Sequence, residues 1–314
     1  MGIETTVRTV PARQLFRKHN LEFYMTELLI PKLRFLDVLD PVQNETGEFT
    51  SVVESANPLT DLADGSLSEP VPATELAELT MIKFEPKQAI SGNTIVFGYK
   101  FEYTDQQANR SQFDSDVNRA IQYAATGLAY TFNTYVANAL AEAAAVDAPA
   151  DLTDWGDPGT RQPRADLLKI RKAFNEATGG VFVPDRVYLE ADPFYALQDY
   201  IISVEGSRNV IERTPQEEEV DLDGLRIYNV QNTMENANFL VLSGNMKPGI
   251  LEKYTNPEYA ALTGKEVYGI PDGLINVNQF KEDGAPHRNI VELWMEIGVN
   301  VRDPKSIMAG TIST

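Results

Sequence analysis

The sequence predicts an α+β protein, and three stretches predict it. Residues 111–145 repeat apolar side chains in steps of three and four, the signature of one face of a long helix. Residues 288–302 alternate apolar and polar side chains, as a strand does. Residues 165–277 pass repeatedly between short helical and strand-like patterns, the habit of a mixed layer.

In chain order, residues 1–20 come first, with Arg8, Arg13, Arg17, Lys18 and His19 against Glu4 alone. This basic arm cannot pack a core by itself. It can lie on an acidic neighbour of the same kind, although a frayed terminus has the same composition. Residues 21–40 mix Leu21, Phe23, Leu28, Leu29, Ile30, Leu33, Phe35 and Leu36 with charges, and Pro31 breaks the run. A short helix followed by an extended piece is expected, docked through its apolar side chains.

Residues 45–104 read as extended. Glu48–Val53 alternates and is β-branched. A polar, turn-rich span follows from Asn57 to Pro72, then strand-like runs at Glu78–Glu85 and Thr94–Tyr103, with Pro86 to Gly92 as a turn between them. The pattern fits a long hairpin with a loose polar tip. Alone in water such a hairpin is marginal, so it needs a partner surface.

The helical stretch places Phe113, Val117, Ile121, Ala124, Leu128, Phe132, Tyr135, Ala139 and Ala143 on one face. Ser111 is its expected N-cap, Asp114 and Asp116 suit its first turn, and Pro149 is its expected stop. At 1.5 Å per residue it spans about 50 Å. Gly127, in its middle, costs about 1 kcal/mol relative to Ala and implies close packing or a bend. Pro149, Gly156, Pro158, Gly159 and Pro163 then mark a structured loop or linker.

Beyond the linker, Ala165–Ala177 reads as a helix with Leu167, Leu168, Ile170, Ala173 and Phe174 inward, closed by Gly179-Gly180. Asp185–Glu190 is a strand, and Asp192-Pro193 opens a helix with Asp as cap and Pro at the first position. Leu225–Val230 and Phe239–Leu242 are strands. In the closing strand Ile290, Glu292, Trp294, Glu296 and Gly298 face one way, and Val291, Leu293, Met295, Ile297, Val299 and Val301 the other. Pro304 ends it, and a short tail follows.

Composition narrows the chemistry. There is no cysteine, hence no disulfide, thiolate nucleophile or cysteine metal site. Only His19 and His287 supply imidazoles, so the commonest general base and metal ligand is nearly absent. Lys plus Arg is 27 against Asp plus Glu at 46, a net −19, which repels free nucleic acid. Salt adaptation and an ordinary acidic surface both account for that charge. No stretch approaches the ~20 apolar residues of a membrane span, and the N-terminus has no signal-peptide pattern.

Few motifs invite a reading as sites. Glu217–Gly224 is densely acidic but lacks the spacing of a calcium-binding loop, and reads as a solvated loop leading into a turn. Gly264-Lys265 lacks the rest of a phosphate-binding loop. Asp114 and Asp116, two apart on a helix, do not face each other. Trp155 and Trp294 read as core or interface anchors. No constellation is catalytic, and no cofactor or metal is expected.

The order of parts is basic arm, long hairpin, very long helix, α+β block and late strand with an Asp303-Pro304-Lys305 exit. Local phrases accompany it: Asp105–Ala120, Arg186–Leu189 with Asp192–Tyr200, Leu222–Val230, and Ile290–Lys305. Together they resemble the Hong Kong 97-type major capsid proteins of tailed viruses (Caudoviricetes) of bacteria or archaea. The resemblance covers nearly the whole chain and rests on architecture, with no single diagnostic motif. It implies an N-terminal arm at 1–45 and an extended hairpin loop at 46–104. It implies a peripheral domain at 105–159 and 281–314 with spine helix 111–145, and an axial domain at 160–280.

By the same resemblance the chain is no enzyme. It would assemble into hexamers and pentamers of an icosahedral shell in the host cytoplasm and enclose double-stranded DNA without sequence-specific binding or a membrane. Portal and decoration proteins are its implied partners, with a separate scaffolding protein or none, since an arm beginning at Met1 leaves no room for a fused scaffold. Expected inter-subunit contacts are Arg8, Arg13, Arg17 and Lys18 of the arm, the aromatics Phe16, Phe23 and Tyr24, and Lys83 and Lys87 of the hairpin. The lysine–asparagine crosslink of some relatives has no match here. An encapsulin-type nanocompartment shell is the alternative within the fold, and an acidic halophilic enzyme working through carboxylates the alternative outside it.

Overall fold

The structure is a computed structural model that describes residues 28–44, 46–53, 88–108, 110, 112–204, 219–231, 234–254, 268–270, 275–282 and 288–314. Among the described residues its framework is two six-stranded sheets and a long helix that touches both.

The first sheet is organised on β13 (Arg288–Val301), the longest strand among the described residues. One edge of β13 pairs with β4 (Ile95–Thr104) from Arg288 to Ile297. The other edge is shared end to end by β12 (Ile275–Glu282) and β10 (Gly249–Tyr254). Outside these lie β1 (Asp40–Asn44), parallel to β10, and β11 (Tyr268–Ile270), antiparallel to β12. The alternation of β13 holds: Leu293, Met295 and Ile297 are buried against the helix side, and Glu292, Trp294 and Glu296 are only partly covered.

Helix α1 (Phe113–Ala143) has 31 residues and is about 46 Å long. Asp114 and Asp116 occupy its first turn as expected. Its N-cap position is Gln112, without a side-chain cap bond, and Ser111 lies outside the described residues. The helix stops before Pro149 because Ala144 turns to extended backbone, with ψ 127°, and leads into β5 (Val146–Asp147). Strand pairing with β14 (Ile307–Gly310) therefore ends the helix.

The predicted stripe holds at Phe113, Ile121, Ala124, Leu128 and Phe132, with Val117 partly buried; further on it centres on Val136, Ala137 and Leu140, while Tyr135 and Ala143 pack against the core only partly buried and Ala139 is also only partly covered. The helix leaves one sheet for the other along its length, so the buried face rotates. Gly127 is a close-packing position: a Cβ there would collide with the hydroxyl of Tyr99 on β4.

The second sheet runs β5, β14, β9 (Phe239–Ser243), β6 (Pro184–Leu189), β8 (Leu225–Asn229), β7 (Glu219–Leu222). One of its faces gives Tyr188, Leu240, Leu242 and Ile307 to the core under α1. The other gives Val187, Leu189, Ile227 and Val241 to a second core. Helices α2 (Pro163–Ala177) and α3 (Ala191–Val204) close that second core. Leu167, Ile170 and Phe174 of α2 are buried as predicted, but Leu168 is half exposed because it points off the stripe. Helix α3 begins at Ala191, two residues early, so Asp192 is a first-turn acid and not the cap.

The acidic stretch departs from expectation. Glu219–Leu222 is strand β7, and Val220 and Leu222 point into the second core. Asp223 and Gly224, both at positive φ (51° and 80°), make the tight turn into β8. Similarly, Gln88–Asn93 is strand β3, not a turn, and pairs with β2 (Glu48–Val53). The hairpin thus consists of β2 and β3, while Ile95–Thr104 leaves it for the first sheet.

Candidate functional site

The β2–β3 hairpin is a two-stranded sheet separate from the other two. Its root is built from short polar side chains. Asn44 Oδ1 accepts the backbone N–H groups of Thr46 and Gly47, at 2.8 and 3.0 Å, and its amide donates to the Glu48 carbonyl. Gly47, at φ 74°, offers its carbonyl to the N–H of Thr94 at 2.9 Å, which closes the base. These residues form turns by local side-chain bonding, the reason Asn and Thr recur at such corners.

Two carboxylates of the first sheet grip this root. Glu296 of β13 accepts the Thr94 hydroxyl at 3.0 Å, and Glu252 of β10 accepts the Asn44 amide at 3.4 Å. Partial burial raises the Glu296 carboxyl above the usual range, and the Thr94 hydrogen bond opposes that shift. Phe49 adds the apolar contact. Its ring lies over Gly298 of β13 and Gly92 of β3, where a Cβ would come within 2.5 Å of ring carbons.

A second surface is the segment before β1, which docks between α1 and the second sheet. Phe35 is fully buried and stacks on Tyr188 at 4.4 Å, and Tyr188 stacks in turn on Tyr228 at 5.1 Å. Asp37 pairs with Arg186 at 3.3 Å. Burial drives the Tyr188 hydroxyl well above its ordinary range, so it stays neutral, donating to the Arg34 carbonyl and accepting from Arg186.

A third feature fixes the loop after β5. Asp166, fully buried on α2, accepts the N–H and hydroxyl of Thr153 and the indole N–H of Trp155. Lys169 lies 3.2 Å from its other oxygen. Burial pushes this carboxyl up, but the hydrogen bonds from Thr153 and Trp155 outweigh it and hold the group below the usual range. The chain end is tied here too, since the Trp155 N–H donates to the Ser313 carbonyl at 2.8 Å.

Phe35 and Trp155 were expected to anchor, and both are buried; the polar anchors were not predicted. Asn44, Thr94, Asp166 and Glu296 carry no sequence signal beyond being polar, because their roles depend on partners far along the chain. The expected contact residues Arg8, Arg13, Phe16, Arg17, Lys18, Phe23, Tyr24, Lys83 and Lys87 all lie outside the described residues, as do His19, His287, Glu217, Glu218, Gly264 and Lys265. Asp114 and Asp116 stay in the first helical turn, and Trp155 is a core anchor. Among the described residues no three His, Cys, Asp or Glu side chains gather as a metal site. No helix among them is long and apolar enough to cross a membrane.

No family model matches the sequence, and no curated protein matches it. Solved structures do match. The capsid of cyanophage P-SCSP1u is 13% identical with a TM-score of 0.53, over 89% of this chain and 88% of that one. Microbacterium phage Oxtober96 gives 9% and 0.53, over 89% and 90%. The holo-SrpI encapsulin complex of Synechococcus elongatus gives 9% and 0.52, over 89% and 88%. At such identities the likeness is one of fold, and the fold is the Hong Kong 97 type.

Proposed function

We propose that this chain is the major capsid protein of a tailed virus and that it assembles into a closed icosahedral shell around double-stranded DNA. The observation that carries this reading is the β2–β3 hairpin on its polar hinge. A two-stranded ribbon is marginal in water, and here only its root is bonded to the first sheet among the described residues. Such a ribbon is stabilised when it lies on another subunit. The fold supports the same conclusion, because it is shared over about nine-tenths of the chain with subunits of phage capsids and of an encapsulin shell.

In this reading the role is structural and not enzymatic, and the basic arm with Arg8, Arg13, Arg17 and Lys18 reaches an acidic neighbour. Each exposed ion pair is worth only ~0–1 kcal/mol and less in salt. Burial of Phe16, Phe23 and Tyr24, at ~25 cal/mol per Å², therefore contributes more than the ion pairs do. The division into arm (1–45), hairpin loop (46–104, its last strand Ile95–Thr104 returning to the first sheet), peripheral domain (105–159 and 281–314) and axial domain (160–280) belongs to the same proposal. So do hexamers and pentamers, separate scaffolding, portal and decoration partners, and assembly in the host cytoplasm.

A cellular nanocompartment is the second reading, favoured by the encapsulin likeness. Electron microscopy of purified protein, with and without candidate scaffold, tests the shell: closed particles are expected. A chain that stays monomeric at every salt and scaffold condition would overturn it. Removal of residues 1–20 should weaken assembly while the core stays folded. Duplex DNA inside particles from infected cells favours the virus, and an enclosed enzyme favours the nanocompartment.

A further inference from the structure

A groove of about 450 Å³ runs between the segment before β1 and the exposed flank of α1. Lys32, Arg34, Thr126, Tyr130, Asn229 and Gln231 are among its lining residues, and among the described residues the lining contains no Asp or Glu. In a chain of net −19 that is a local reversal of sign.

The walls of the groove are held firmly. Asn133 of α1 accepts the Arg34 N–H at 2.9 Å and donates to the Lys32 carbonyl at 2.8 Å, which pins the backbone carrying both cations. The Lys32 ammonium donates to the neutral Thr126 hydroxyl at 2.6 Å. Burial alone lowers this ammonium from its ordinary range, with no carboxylate acting in the other direction. Asn229, buried at the end of β8, accepts the Gln231 N–H on its Oδ1 at 3.0 Å, while its amide nitrogen finds no acceptor among the described residues. A cation that faces no carboxylate among the described residues and an orphaned buried donor both suit an oxyanion.

We propose that this groove receives an Asp or Glu side chain from a second copy of the chain, which pairs with Lys32. The proposal rests on the shell reading. Every copy carries 46 carboxylates against 27 Lys and Arg, so a neighbour supplies the missing charge readily. A duplex would first meet the repulsion of the whole −19 surface. A cleft of this size also suits single side chains better than a phosphate backbone. The contact places α1 and the segment before β1 at a subunit boundary, and it selects for carboxylate-bearing neighbours.

The test is zero-length carbodiimide crosslinking, which joins an amine to a carboxylate in direct contact. Particles are assembled from an equal mixture of ordinary and ¹⁵N-labelled chains, crosslinked, digested and read by mass spectrometry. The expected result is Lys32 joined to an Asp- or Glu-containing peptide, with mixed-isotope products in the proportion that random neighbours require. Unassembled chains should lack it. Lys32→Gln should raise the threshold concentration for assembly several-fold and flatten its salt dependence, and Lys32→Arg should restore both.

Intact particles whose Lys32 gives no mixed-isotope product overturn the proposal and leave the shell reading standing. Failure to form particles at all overturns both. Anisotropy of a labelled duplex with unassembled chains provides the last arm. Loss of duplex binding in Lys32→Gln, without the crosslink, would hand the groove to phosphate and overturn the proposal.

Discussion

Replacing Phe49 by Ala should unfasten the hairpin from the first sheet without unfolding the chain. Phe49 is partly buried, and its ring rests on Gly298 and Gly92, two positions where no side chain intervenes. A phenylalanine buries roughly 150–250 Å² when fully covered. About half of that, at ~25 cal/mol per Å², makes the contact worth about 2 kcal/mol. The energy is local, because the hairpin joins the sheet mainly through Asn44, Thr94 and this ring.

The amide of Thr94, bonded to the Gly47 carbonyl, reports on the closed root. A loss of about 2 kcal/mol should speed its hydrogen exchange about thirtyfold. The assay is hydrogen–deuterium exchange on unassembled chains, read at residues 88–95, beside a urea unfolding curve. Two results would refute the reasoning. Unchanged exchange at Thr94 would show that the ring does not hold the root. An equal fall in global stability would show that Phe49 belongs to the main core and not to a hinge.

The Glu296 carboxylate predicts how the same hinge answers to pH. Its raised pKa means that the ionised form is disfavoured while the root is seated. The penalty is fully present above the raised value, shrinks as pH falls through it, and is gone below the ordinary glutamate value. The root should therefore tighten on mild acidification. The nearest charges on the same face are Glu252 of β10, Lys100 of β4 with Glu102 beyond it, and, on its own strand, Glu292, by register and alternation. Glu296→Gln should slow Thr94 exchange at neutral pH and remove its excess pH dependence over the intrinsic rate, and a retained dependence would point to Glu252 instead. Asp166→Ala strands three donors from Thr153 and Trp155 in a buried site, at ~1–3 kcal/mol each, so a loss of at least about 3 kcal/mol is expected in urea unfolding. Asp166→Asn keeps an acceptor in place and should cost about 1 kcal/mol; equal damage from both would show that charge, not acceptor geometry, holds the loop.

Elements that bury a face with a regular period were legible in the sequence. The helix from Phe113, the alternation of β13 and the helix Pro163–Ala177 all carry the pattern in their own residues. Strands stabilised by what lies beside them were not. Gly249–Tyr254 contains Glu252 and Lys253, yet both are buried, because β1 and β13 flank the strand and the hairpin root lies near it. Gln88–Asn93 reads as a turn until β2 pairs with it, and Ile307–Gly310 as a tail until β9 and β5 do.

The sequence by itself determined the fold class, the long helix, the order of parts and the poverty of catalytic side chains. Periodicity and composition are local properties, and one chain displays them. Only the tertiary structure decided that Ile95–Thr104 leaves the hairpin for the central sheet, that the buried face of the helix rotates between two sheets, and that Glu252 and Glu296 hold the hinge. Those outcomes depend on pairings across as many as 208 residues of chain. Long-range contacts of that kind compete on geometry, which no window of sequence contains.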